Sequence, residues 1–195
     1  MRSIRVLFGS IFLTAICAFG LKYNSVPKSH MVINKVSLEL NAQKGLFLYN
    51  NEPFTGTALS LSTDSIAMES ASFLKGKRHG QMVKFFVNGS KSYEANYKWG
   101  KLDGKVYSWW KNGQKRSEST FEEGVLNGVQ KKWYQSGALF KETNLIGGKE
   151  SGLQRAWREN GKLYVNYEAK NGRIYGLKRS TLCYQLNDEV ISYED

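Results

Sequence analysis

The sequence predicts an all-β chain, an elongated antiparallel meander of tandem 24-residue β-hairpin repeats. Three observations predict it. Gly56, Gly80, Gly104, Gly128, Gly152 and Gly176 follow one another at steps of 24 residues, which divides residues 57–176 into five equal repeats without insertion or deletion. A second glycine series, Gly76, Gly100, Gly124, Gly148 and Gly172, stands four residues before each repeat end. A third, Gly89, Gly113, Gly137 and Gly161, marks the ninth position of every repeat but the first, where Ser65 stands. The runs between these glycines are aromatic and too short for ordinary helices. Fixed self-similarity at this period is the mark of a repeat architecture, in which each unit is stable only against its neighbours.

Within each repeat the first run ends at Asn88-Gly89, Asn112-Gly113, Ser136-Gly137 or Asn160-Gly161. Asn-Gly between two strand-like runs signals a hairpin, because both residues tolerate positive φ. The second run ends at the five-residue segments GKRHG, GKLDG, GVLNG, GKESG and GRIYG, which read as turns. Residues 33–56 number 24 again and read as a degenerate capping repeat. Residues 177–195 read as a C-terminal cap, since a stacked array must protect its last strand. The prolines, Pro27 and Pro53, both lie outside the five repeats, as expected where every strand amide is needed for pairing.

The N-terminus is a separate element. Arg2 and Arg5 precede an apolar stretch from Val6 to Leu21, short for a membrane span and suited to a signal-peptide core. Residues 1–20 therefore read as an export signal and 21–32 as a linker. A retained anchor is the alternative. Lipidation at Cys17 is another, although Ile16 stands where a lipobox has a small residue. Cys183 would be the single thiol of a chain cut after Gly20, and it reads as a small buried residue.

Large side chains follow the same period. Leu61, Phe85, Trp109, Trp133 and Trp157 share the fifth position, and Phe86, Trp110 and Tyr134 the sixth. Both faces of the sheet then carry aromatic rows, which read first as its stabilising core. Stacking on a ligand by Trp109, Trp133 and Trp157 is the alternative. Charge is also in register. The formal net charge is +11, and Lys77, Lys101, Lys149 and Arg173 occupy the twenty-first position, with Val125 as the gap. They should line one edge as an interrupted basic ladder, open to an anionic partner. Glu94, Glu118 and Glu142 recur at the fourteenth position, so the surface is striped.

The pattern WWKNGQKR at residues 109–116, followed by turns such as GKLDG, resembles the variant MORN repeat. It also resembles the YwqK-family antitoxins of toxin–antitoxin systems, which are built from such repeats. The resemblance covers residue 33 to about 190. It implies a MORN-like solenoid sheet used for protein or membrane contact, with no catalytic residue to carry over. His30 and His79 are the chain's histidines, and the sequence has no HExxH, P-loop or GxSxG motif. The expectation is an exported, non-catalytic binding or scaffold protein of the periplasm or cell envelope. It should need neither cofactor nor metal, bind a protein partner and not nucleic acid, and act in an antitoxin- or immunity-like role. Envelope glycan or lipid binding is the alternative.

Overall fold

A computed structural model describes residues 31–177. The expected signal peptide with Cys17, most of the linker with His30, and nearly all of the C-terminal cap with Cys183 lie outside the described residues. The chain forms β1 (Val32–Asn34), a single 3₁₀ turn (Lys35–Ser37), β2 (Glu39–Asn41), β3 (Leu46–Tyr49), β4 (Glu52–Pro53), β5 (Gly56–Leu61), β6 (Ala67–Leu74), β7 (Lys77–Phe85) and β8 (Lys91–Lys98). It continues as β9 (Lys101–Trp109), β10 (Lys115–Glu122), β11 (Val125–Leu126), β12 (Gly128–Trp133), β13 (Leu139–Ile146), β14 (Lys149–Trp157), β15 (Leu163–Lys170) and β16 (Arg173–Leu177). From β5 onward each hairpin pairs with the next, as the glycine period requires. The result is one open, 13-stranded sheet in the order β1-β5-β6-β7-β8-β9-β10-β12-β13-β14-β15-β16, with the short β11 paired to β10. All of its pairings are antiparallel except β1 on β5, where Ile33 faces Ala58 in parallel register.

Two kinds of turn alternate along the meander. The Asn-Gly loops are three-residue connections. Phe86 N–H donates to Ser90 O and Gly89 N–H to Phe86 O, with the same pattern at Trp110–Gln114 and Arg158–Lys162. Only the glycine takes positive φ, +79° at Gly89. The asparagine works differently from the sequence expectation. Its side chain accepts the N–H two residues on, from Ser90, Gln114 and Lys162, which fixes the turn through its own carbonyl. Ser65 fills the ninth position of the first repeat at φ +60°.

The expected five-residue turns are shorter than read. The chain reverses over two residues, Lys75-Gly76, Trp99-Gly100, Glu123-Gly124, Gly147-Gly148 and Asn171-Gly172, all with positive φ. That is the hairpin turn whose twist matches its strands. The residues just beyond each reversal are already strand, and the repeat-end glycines lie inside it. Gly80, at φ +94°, sits where Ala71 pairs with Met82 but Phe73 pairs with Arg78, so two extra residues are accommodated in β7. A glycine at such a bulge takes a backbone conformation that other residues resist.

The buried row also differs from the expected one. Across successive strands, Ala58 faces Ala71, Ala71 faces Met82, Met82 faces Ala95, Ala95 faces Val106 and Val106 faces Ser119. The row continues through Gln130, Thr143, Gln154 and Tyr167. Except for Gln130 these side chains are all buried, and Gln154 is fully so. The sheet centre is therefore a line of mostly small or polar residues at the second and fifteenth positions. Gln154 satisfies itself at the bulge of β14. It donates to Asn144 O (2.8 Å) and Gly152 O (3.2 Å) and accepts from Asn144 N–H (3.1 Å).

The N-terminal residues cover one end of this face. Strands β2-β3-β4 make a separate three-stranded sheet. Phe54 and Phe73 are 5.7 Å apart and Phe47 lies 5.1 Å from Phe73, in a cluster with Ala58, Ala71 and Met82. Lys35 anchors the 3₁₀ turn with an ion pair to the buried Glu69 (2.7 Å).

Candidate functional site

The two-residue turns line up along one edge, and the first four are bonded in series. Gly100 N–H donates to Arg78 O (2.8 Å), Gly124 N–H to Leu102 O (2.7 Å) and Gly148 N–H to Leu126 O (2.9 Å). Each turn is thus tied to the strand that leads out of the preceding turn, which makes the edge a fixed surface. Lys77, Lys101, Lys149 and Arg173 are the first residues of β7, β9, β14 and β16, directly after these turns, and all four are exposed. Adjacent turns are two strands apart, about 10 Å at ordinary strand spacing. The fold therefore brings Lys77 near Lys101, and Lys149 near Arg173. It does not make a continuous ladder, because Glu122, Glu123 and Val125 occupy the turn between the two pairs.

At its N-terminal end the edge meets the β2-β3 loop. Lys44 and Phe47 join Lys77, Arg78, Trp99 and Lys101 around a cleft of about 310 Å³. The period could not place Lys44, which lies outside the five repeats. Arg78 follows Lys77 in the sequence but does not recur as a cation at the twenty-second position, so the period did not mark it.

The tryptophans of the fifth position are half-buried on one face, and the chain's own cations sit between them. Lys115 Nζ lies 5.3 Å from the Trp133 ring centre and 5.4 Å from that of Tyr107, and the Arg155 guanidinium lies 5.5 Å from that of Trp157. Trp109 packs on Tyr107 at 5.9 Å. The same cations serve the repeated glutamates. Glu118 pairs with Lys115 (2.8 Å) and Lys105 (3.4 Å), and Glu142 with Arg155 (3.0 Å) and Lys131 (3.3 Å). The hydrogen bond from Lys115 holds the Glu118 carboxyl below the ordinary carboxylate range. Burial pushes Glu142 up, but the bonds from Arg155 and Lys131 outweigh it and the net shift is downward. These glutamates read from sequence as a surface stripe. Here they close a cross-strand network of ions and rings, so this face carries its own counter-charges.

The sixth-position aromatics staple the opposite edge. Trp110 Nε1–H donates to Trp133 O (3.1 Å) and Tyr134 Oη–H to Trp157 O (3.0 Å), each reaching the next repeat. Asn112 does the same to Gln135 O (2.8 Å). The period showed that these residues recur, but not that their polar atoms reach 23 residues forward.

The family model described as MORN repeat variant matches residues 102–123, which is most of β9, all of β10 and the start of the next turn. A search of curated proteins finds no match. The matched unit, repeated in one open β-meander, suggests a binding or scaffold repeat protein.

Proposed function

We propose that this chain is an exported, non-catalytic scaffold that holds a protein partner along its turn edge, in an antitoxin- or immunity-like role within the cell envelope. The observation that carries the reading is the exposed recurrence of Lys77, Lys101, Lys149 and Arg173 directly after the two-residue turns, the first four of which are bonded in series. A rigid row of cations spaced by repeat suits an extended acidic surface. Several weak, screened contacts add through effective concentration. The acidic turn at Glu122 and Glu123 gives the row a sign pattern, and such patterns set the register of a partner. Export rests on the Arg2/Arg5 and apolar sequence of the N-terminus.

The test is capture of an envelope partner by the mature chain and by a Lys149→Glu/Arg173→Glu variant. These positions lie away from the cleft and on exposed strand starts, so the sheet should stay intact by circular dichroism. The expected result is a retained protein that elutes with rising salt and is lost by the variant. Retention by the variant with the same salt response refutes the edge as the contact. Retention of glycan or lipid in place of protein favours the envelope-ligand alternative.

A further inference from the structure

We infer that the cleft at the N-terminal end of the turn edge is a binding site for a phosphate monoester, a small-ligand site that shares Lys77 and Lys101 with that edge. Its rim carries Lys44, Lys77, Arg78 and Lys101, and its apolar walls are Phe47 and Trp99. Its volume, about 310 Å³, falls within the range of small-ligand pockets. Among the described residues, no carboxylate lines it.

The cations of this cleft are not consumed by the chain. Among the described residues the ion pairs join Glu69, Glu94, Glu118 and Glu142 to other lysines and to Arg155, and none uses Lys44, Lys77, Arg78 or Lys101. Arg78 is held without an acid. Its guanidinium lies 5.4 Å from the Phe47 ring centre and 5.7 Å from that of Tyr97, and its buried Nε has no hydrogen-bond partner. Aromatic packing of this kind fixes the plane of the fork and leaves its donors for an oxyanion.

Trp99 supplies the second observation. It is 48% exposed and sits at φ +52°, a conformation that a bulky residue adopts only under strain. The equivalent positions share it: Gly147 and Asn171 suit it, and Lys75 and Glu123 adopt it at +49°, so exposure is what sets Trp99 apart as an aromatic surface. His79 braces the indole, with ring centres 5.1 Å apart. An exposed tryptophan beside four cations that no ion pair engages matches a ligand with a doubly charged head and an apolar or flat body. A phosphate monoester carries about −1.5 to −2 at neutral pH and three acceptor oxygens, enough for Arg78 and two lysines together. On the other side of Trp99, Asp103 and Glu123 share a smaller hollow with Lys98 and Lys101, so the anion is confined to the Lys44 side.

The proposal does not depend on a protein partner and is tested with small probes. Inorganic phosphate and glycerol 3-phosphate are titrated into the full chain, with tryptophan fluorescence and calorimetry as readouts and Trp99→Phe identifying the Trp99 signal. The expected result is a saturable change that Lys44→Gln/Lys101→Gln weakens by roughly tenfold or more, as loss of charged hydrogen bonds requires. Arg78→Lys, which keeps the charge and loses the fork, should weaken it as well. Removing the same charge from the opposite edge, with Lys111→Gln/Lys162→Gln, should leave it unchanged. Vesicles of phosphatidic acid in phosphatidylcholine distinguish the sources. Retention on them that glycerol 3-phosphate competes away assigns a lipid headgroup, and soluble binding without retention assigns a free phosphate ester. Absence of saturable binding into the millimolar range, or equal weakening by both lysine pairs, overturns the proposal.

Discussion

Removing one oxygen atom should measure how strongly neighbouring repeats are coupled. Tyr134 Oη–H donates to Trp157 O at 3.0 Å, across 23 residues, and its ring packs 5.0 Å from Phe140. Tyr134→Phe deletes the hydroxyl and keeps the ring contact. A net hydrogen bond contributes about 0.5–1.5 kcal/mol, and leaving a part-buried carbonyl unpaired puts the loss near the middle of that range, about 1 kcal/mol. For a chain of this size that is a fall of about 2–4 °C in Tm. Because repeat stability is a sum of nearest-neighbour terms, amide exchange should quicken in β14 and β15 and stay unchanged in β5 to β8. Differential scanning calorimetry and hydrogen exchange of the two proteins decide it. An unaltered Tm, or protection lost uniformly along the sheet, would refute the staple between repeats.

Three further perturbations test the same geometry. Gln154→Ala leaves Asn144 N–H and O without their partner inside the sheet, and urea unfolding should show a loss of about 2–3 kcal/mol, more than its polar character alone suggests. Trp133→Ala should cost about 2 kcal/mol, less than the ~3–5 kcal/mol of a fully buried aromatic, because the ring is half-buried and capped by Lys115. For pH, the folded-state pKa values of Glu118 and Glu142 are lowered, so the stability they contribute is full above their unfolded value of 4.5 and is lost as pH falls through the folded values. Tyr93 and Tyr167 are pushed up to about 12, chiefly by burial, so a second loss should occur as pH rises from 10.0 toward about 12. Urea midpoints across pH check both windows, and Glu118→Gln/Glu142→Gln should flatten only the acidic one.

The glycine period contained the hairpins, their order and their common edge, because positive φ is a local demand that leaves a residue-type signature. It did not contain the division of each GxxxG segment into a two-residue turn and a bulged strand. Two glycines four residues apart satisfy a long turn and a turn-plus-bulge equally well, and only pairing across the sheet separates them. The buried row was illegible for another reason. Ala58, Ala71, Ala95, Ser119 and Thr143 are small enough to be covered by their neighbours, whereas hydrophobic patterning draws the eye to Trp109, Trp133 and Trp157. For the candidate site, the recurrence of Lys77, Lys101, Lys149 and Arg173 was visible, and so was its gap at Val125. The acidic residues that fill that gap, and the approach of Lys44 to Arg78, depend on tertiary placement. No periodicity brings a residue of the N-terminal sheet beside the first and second of these turns.

The most direct test of binding along the turn edge is site-specific photo-crosslinking in the native envelope. A photoreactive residue is placed in turn at positions 149 and 173 on that edge, and at 109 and 157 on the tryptophan face. The expected result is a discrete protein adduct from 149 and 173, weakened by salt, and none from 109 or 157. Adducts confined to 109 and 157 would contradict edge binding and make the ring-bearing face the contact surface.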